Sequence, residues 1–332
     1  MNRRGFSLLA LGLVAVLVGC ESGGGNIGSN IVGGMTQAFT GVNPADVRAA
    51  TTDIDEPEEI ELGRAVTTAF GSRYKLLRDE PVTRYVALVG NAVAIQSDRP
   101  DIRYYFGILD TDEINAFAAP GGYILVTRGS LALMRDEATL AGVLGHEVGH
   151  VALRHFNETI KEERQTALKK AGFLSVAQLG LGFANVGGMG GVALHTFGPI
   201  AIKAGADGAF GALLKGHSRK EEGEADVVGF KYAARAGYDP SGLRDFLQAV
   251  QDSGKVPAKS GIFANWSATH PGTEDRLKDQ EAQLKTVPAG GRRATARFET
   301  AMATLPKPAA QPATPAQPGT KPPAAKPAQP TR

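Results

Sequence analysis

Apolar positions return every three or four residues between Glu58 and Phe70 and again between Pro81 and Gln96, a spacing that predicts two helices. Tyr104 to Leu109 and Tyr123 to Thr127 are short runs of aromatic, aliphatic and β-branched residues. Pro120-Gly121-Gly122 and Gly129 punctuate the second run, and both read as strands. Farther on, Leu140, Val143, Leu144, Val148 and Val151 form a buried stripe at helical spacing behind an acidic start at Asp136-Glu137. That helix is expected to run on toward Lys170. Three more helices complete the pattern: Arg219 to Ala236, stopped by Gly237; Pro240 to Gln251, capped by Asp239; and Pro271 to Lys285. The expected class is α+β, mainly helical with a small β-sheet.

Outside these elements the periodicity fails, and composition takes over. Residues 1–19 carry Arg3-Arg4, an apolar run from Phe6 to Val18, and then Leu17-Val18-Gly19-Cys20, the anatomy of a secretory signal. The run is shorter than the about 20 residues a membrane span needs. Leu-Val-Gly-Cys resembles the bacterial lipobox, which makes Cys20 the expected lipidation site and accounts for the single cysteine of the chain. Glu21 after the cysteine favours the outer membrane by analogy with lipoprotein sorting, so the chain is expected on its periplasmic side, held by the lipid.

Residues 20–57, rich in Gly, Ser, Asn and Thr, read as a tether, and 58–290 as one folded domain. Within that domain 180–211 is so rich in glycine that a lid or loop is expected. Residues 291–305 read as a short helix or linker. Positions 306–332 hold nine prolines, four basic groups and no acid, a composition for a disordered tail able to touch peptidoglycan or another envelope partner. Setting aside Arg3, Arg4 and the basic groups of the tail turns the net charge of +2 into about −4, so no nucleic-acid footprint is present.

The chemistry lies in His146-Glu147-Val148-Gly149-His150. On a helix, residues four apart share a face, so both imidazoles can converge on one zinc ion with Glu147 beside it. Six histidines in 332 residues make a chance H-E-x-x-H a matter of roughly one in two hundred. Catalytic zinc takes three protein ligands and leaves one position open. The third is sought in Ser218 to Asp226, where Glu222 competes with Glu221 and Glu224; spacing alone leaves the choice open. Asp226, one turn beyond Glu222, is placed to accept the outer N–H of His146 or His150. His155, five residues past His150, is turned about 140° away on the helix and is not expected to join the same ion.

The string Asn115-Ala116-Phe117-Ala118-Ala119-Pro120-Gly121-Gly122-Tyr123-Ile124-Leu125-Val126-Thr127-Arg128-Gly129 precedes the zinc helix, and Ser218-Arg219-x-x-Glu222-x-x-Ala225-Asp226 follows it. Together they resemble the gluzincin metallopeptidase family that includes the HtpX, BepA, LoiP and CAAX prenyl protease groups, over about Glu58 to Leu284. The resemblance implies a zincin-like fold, one zinc ion per chain, and Glu222 as third ligand. It implies protein cleavage, in which zinc activates water, Glu147 moves the proton, and an extra donor serves the oxyanion. His270, in Thr269-His270-Pro271-Gly272-Thr273-Glu274-Asp275-Arg276, is similar to a family H-P-x-x-x-x-R string. It is a candidate for that donor, or equally for a fourth, inhibitory ligand. By analogy with related zinc peptidases, the strand with Tyr123, Ile124, Leu125 and Val126 is expected to lie at the sheet edge beside the cleft. There it would pair with an extended, unfolded or misassembled polypeptide. No internal repeat is evident, so the helical-repeat domain that some relatives carry is not expected. A client-holding module with a gated zinc site is the alternative to an active endopeptidase.

Overall fold

A computed structural model describes residues 48, 50–181, 211, 213–253, 266–287 and 290–306. The expected signal with Cys20, most of the tether, His195, positions 182–210 of the glycine-rich stretch and all but Pro306 of the tail lie outside the described residues. Helix α1 (Glu56–Arg73) starts where Asp55 accepts the Glu58 N–H, and α2 (Glu80–Ala94) where Asp79 accepts that of Val82. In each case a proline follows within the first turn, where its missing N–H costs nothing.

Three strands follow: β1 (Tyr105–Leu109), β2 (Ala116–Ala119) and β3 (Tyr123–Thr127). The sheet order is β1-β3-β2, with β1 parallel and β2 antiparallel to β3, Tyr105 opposite Tyr123 and Ala116 opposite Val126. Strand β3 is therefore central and paired on both sides. This overturns the expectation that Tyr123, Ile124, Leu125 and Val126 present a free edge. The occupant of that edge, β2, reads Ala-Phe-Ala-Ala, with no β-branched residue to mark it as a strand. It turns back into β3 through Gly121 and Gly122 at φ 70° and 87°, values that favour glycine.

The sheet separates two apolar layers by its period of two. Ile108, Ala116, Ala118, Ile124 and Val126 face the main core with α2 and the helices beyond. Leu109, Phe117, Ala119 and Leu125 face α1 in a second cluster with Val66, Phe70 and Phe156.

After the short helix α3 (Arg128–Leu133), α4 (Glu137–Ala152) begins at Asp136, which accepts the Thr139 N–H at 2.9 Å. Every residue from Glu137 to Val151 is buried, so α4 runs through the middle of the molecule. It does not continue toward Lys170. Leu153 caps it, Arg154 turns the chain with φ 56°, and a separate helix α5 (His155–Leu181) departs. Next come α6 (Arg219–Arg235), opened by a Ser218–Glu221 capping box, then α7 (Gly242–Ser253), α8 (Trp266–Thr269) and α9 (Thr273–Leu284). Helix α10 (Thr295–Met302) closes the series, with Phe298 in the main core. Arg293 binds Asp136 and Asp245 at 2.6 and 2.5 Å, and Arg297 binds the buried Glu137. This terminal segment is thus tied to the start of α4.

Helices α4 and α6 meet backbone to backbone. A Cβ on Gly145 would lie 2.8 Å from the Gly229 carbonyl oxygen, and one on Gly229 only 2.6 Å from the His146 nitrogen. Gly229→Ala should therefore force the helices apart and cost about 1–3 kcal/mol, as overpacking does. On the same helix Gly223 has open space around it, so Gly223→Ala should stabilise by up to about 1 kcal/mol. Denaturant midpoints of the two variants check both, and equal midpoints would refute the close-contact account.

Candidate metal centre

Helix α4 projects His146, Glu147 and His150 to one side, and α6 brings Glu222 and Asp226, one turn apart, against them. The Nε2 atoms of His146 and His150 lie 3.0 Å apart. Glu222 reaches them at 3.5 Å (Oε2) and 3.4 Å (Oε1). His270, from the turn before α9, sets its Nδ1 3.1 Å from Glu222 Oε1 and 3.3 Å from His146 Nε2. Among the described residues His146, His150, Glu222 and His270 form one buried group able to hold an ion. Donor atoms 2.0–2.2 Å from a tetrahedral zinc stand roughly 3.3 Å from one another, so these four fit that ion.

A second observation supports the fit. Glu147 is fully buried, and among the described residues neither of its carboxylate oxygens has a hydrogen-bond partner. His270 Nε2 lies 3.7 Å from Glu147 Oε1. A buried carboxylate left unpaired is costly unless something else occupies the space before it. Burial also pushes the Glu147 carboxyl above its ordinary range, which suits a group that takes a proton.

Around this group stands a second ring of contacts. His146 Nδ1 meets Asp226 Oδ1 at 2.8 Å, so of the two histidines it is His146 that Asp226 faces. Arg276 forks onto the same carboxylate at 2.7 and 2.6 Å and reaches Glu222 Oε2 at 2.5 Å. Arg276 is thus a buried ion-pair residue. Arg219, by contrast, is exposed and pairs with Asp275. Trp266 lies flat on His270, ring centroids 4.0 Å apart.

The two remaining described histidines are closer to the site than their sequence positions suggested. His155 sets Nδ1 2.9 Å from His150 Nδ1, and His217 stacks on the His150 ring at 3.8 Å. The break at Arg154 is the reason for the first, since a continuous helix would have carried His155 away. Nothing in the sequence around His217 announced the second.

Charge is nearly balanced. Burial and Arg276 both disfavour a proton on His146, yet Glu222 and Asp226 outweigh them and hold its pKa up at about 9. Burial opposes ionisation of Glu222, but His270 and His146 keep it well below the usual carboxylate range. Burial, with His217 beside it, keeps the His150 imidazole neutral. Metal binding must displace protons from such a set.

Residues 81–283, more than half of the chain, match the model of peptidase family M48. The chain belongs to that family. M48 peptidases use zinc, in keeping with the fit of His146, His150, Glu222 and His270 to that ion. A beta-barrel assembly-enhancing protease of Yersinia pestis is 28% identical over 69% of this chain and 44% of its own length. Metalloprotease LoiP of Escherichia coli is 26% identical over 82% of this chain and 93% of its own. The mitochondrial metalloendopeptidase OMA1 of Schizosaccharomyces pombe is 28% identical over 77% and 71%. The chain thus spans less than half the length of the first of these M48 relatives.

Arg276→Met would leave Asp226 and Glu222 without their buried cation. Equilibrium unfolding of the zinc-loaded protein should show a loss of about 3–5 kcal/mol. A loss below about 1 kcal/mol would mean that the metal and the histidines alone balance the two carboxylates.

Proposed function

We propose that this M48 chain is a zinc endopeptidase that cuts unfolded or misassembled polypeptides of the bacterial envelope, with His146, His150 and Glu222 as metal ligands and Glu147 as the base. The observation that carries the reading is the buried Glu147, without a hydrogen-bond partner among the described residues, beside the three converging ligands. Zinc, when bound, supplies a Lewis acid that makes water nucleophilic near neutral pH and polarises the scissile carbonyl. Glu147 then takes the proton from the attacking water and returns it to the leaving amine. Asp226 and Arg276 hold His146 and Glu222 in register while this happens.

Substrate is best accommodated on β2. Thr127 N–H donates to the Asn115 carbonyl, so by antiparallel alternation Asn115 and Phe117 face β3, while Ala116 and Ala118 turn their peptide groups to the other side. An extended chain adding there gains affinity through its backbone with little reading of side chains, which selects unfolded over folded protein. The strand with Tyr123 to Val126 supports this edge from behind.

His270 holds that edge closed. Its Nε2 donates to the Ala116 carbonyl at 3.2 Å while Nδ1 faces the ligand group. This favours the fourth-ligand role over an oxyanion donor in the arrangement seen.

The envelope setting rests on relatives named as beta-barrel assembly-enhancing proteases and on the lipobox-like start of the chain. Cys20 as lipid anchor, the periplasmic face of the outer membrane as location, and the proline-rich tail as an envelope contact belong to the same proposal. A purely client-holding module is not favoured, because these relatives are all named as proteases.

Glu147→Gln should lower cleavage of an unfolded model protein by at least about 100-fold at unchanged zinc content. Equal cleavage by this variant would remove Glu147 from the mechanism. His270→Ala should raise cleavage several-fold by opening the site; a comparable fall instead would assign His270 as the oxyanion donor.

A further inference from the structure

We propose that His155 is a positioning residue that orients the zinc-binding imidazole of His150 by accepting its outer N–H and passing the polarisation on to Glu224. The inference rests on the reading of His150 as a metal ligand. Because Nε2 of His150 converges with His146 Nε2 and Glu222, it is the nitrogen that meets the ion. Its Nδ1 must then carry the hydrogen, and a buried N–H requires an acceptor. The atom within reach is His155 Nδ1 at 2.9 Å. To accept, His155 must keep that nitrogen bare and carry its own hydrogen on Nε2. There Glu224 Oε2 waits at 3.4 Å. Glu224 is half-exposed and is held from its other side by Lys220 at 3.4 Å.

The two ligand histidines are thus supported in different ways. His146 leans directly on the Asp226 carboxylate. His150 reaches its carboxylate through a second imidazole, with the stacked ring of His217 fixing its plane. The chain turn at Arg154 makes this possible, since it returns His155 to the face from which a continuous helix would have taken it.

His150, His155 and His217 are also close enough together to suggest a second ion. That would require both nitrogens of His150 to bind metal, and hence an imidazole stripped of its last proton. A neutral hydrogen-bond relay needs no such loss and accounts for the same distances.

The test compares His155→Leu, His155→Asn and Glu224→Gln in the full chain. Zinc affinity is measured by chelator competition and ligand geometry by the absorption of the cobalt-substituted protein. His155→Leu should weaken zinc about 10- to 100-fold, the range for losing such a partner, and shift the cobalt bands. Asparagine puts a carbonyl oxygen near the former Nδ1 and should restore most of the affinity. Glu224→Gln should give a smaller loss, and being half-exposed it keeps the question open to test if the leucine variant does not fold. Wild-type affinity and spectrum in His155→Leu, or no rescue by asparagine, would overturn the proposal. His150→Ala serves as the control: if it still binds zinc as the wild type does, the ligand assignment is what has failed.

Discussion

The crossing of α4 and α6 is the constraint on which the site depends. Three candidate ligands come from these two helices, and the ligand atoms can converge only if the helix axes approach more closely than ordinary side chains allow. Gly145 and Gly229 face each other at that point, each with backbone where its Cβ would be. The His146 nitrogen itself lies against Gly229. Side chains then begin at the crossing, so His146 and His150 on one helix and Glu222 and Asp226 on the other reach each other without long, entropically expensive stems. Small residues here serve geometry, and the geometry serves the metal.

Such a crossing buries charge, and the second requirement of the structure is to balance it. Glu222, Asp226 and Glu147 are carboxylates within one enclosed volume, faced by Arg276 and the histidines. An ion pair in this setting contributes little by itself, because desolvation offsets its attraction, but removing one member leaves a charge with no compensation. The network therefore acts less as a source of stability than as a condition for having ionised ligands at all. Glu147 stands apart from it, with no hydrogen-bond partner among the described residues, an isolation that accords with the proton-transfer role proposed for it.

Much of this was legible in the sequence where local signals and tertiary outcome agree. The stripe Leu140, Val143, Leu144, Val148, Val151 marked α4 as a core helix, though not that it is buried on every side, and Asp136 marked its start, because period and cap act within a few residues of each other. The convergence of the candidate ligands His146 and His150 follows from helix period alone. Glu222 required the family resemblance, since Glu221 and Glu224 lie on the same turn and only the fold decides which one turns inward. Two features stayed hidden because nothing in the local sequence marks them. Strand β2 is three alanines and one phenylalanine, too weak a strand signal until they pair with β3. The turn at Arg154 has neither glycine nor proline to mark it, and without it His155 could not be placed. Residues 291–305, read as a short helix or linker, hold the helix Thr295–Met302, and what the sequence could not show is that Arg293 and Arg297 tie it to acids at the start of α4 more than 150 residues earlier.

The central place of β3 in the sheet bears on how the site opens. With β3 at the centre, the sheet edge near the ligand group among the described residues belongs to β2, and His270 sits on it. One imidazole thus bonds the backbone acceptor that an added strand would use and faces the metal ligands with its other nitrogen. On the proposed reading these two obstructions cannot be removed separately. A polypeptide that pairs with Ala116 must displace Nε2, and rotation of the ring withdraws Nδ1 from the ligand group in the same motion. The stacking of Trp266 on His270 opposes that rotation. Only a ligand whose differential affinity for the open state exceeds the cost of losing these contacts can shift the equilibrium. A long extended segment provides that through several backbone hydrogen bonds, whereas a short peptide or a folded loop does not. Selection for unfolded chains and protection of the metal face are then consequences of one side chain's position.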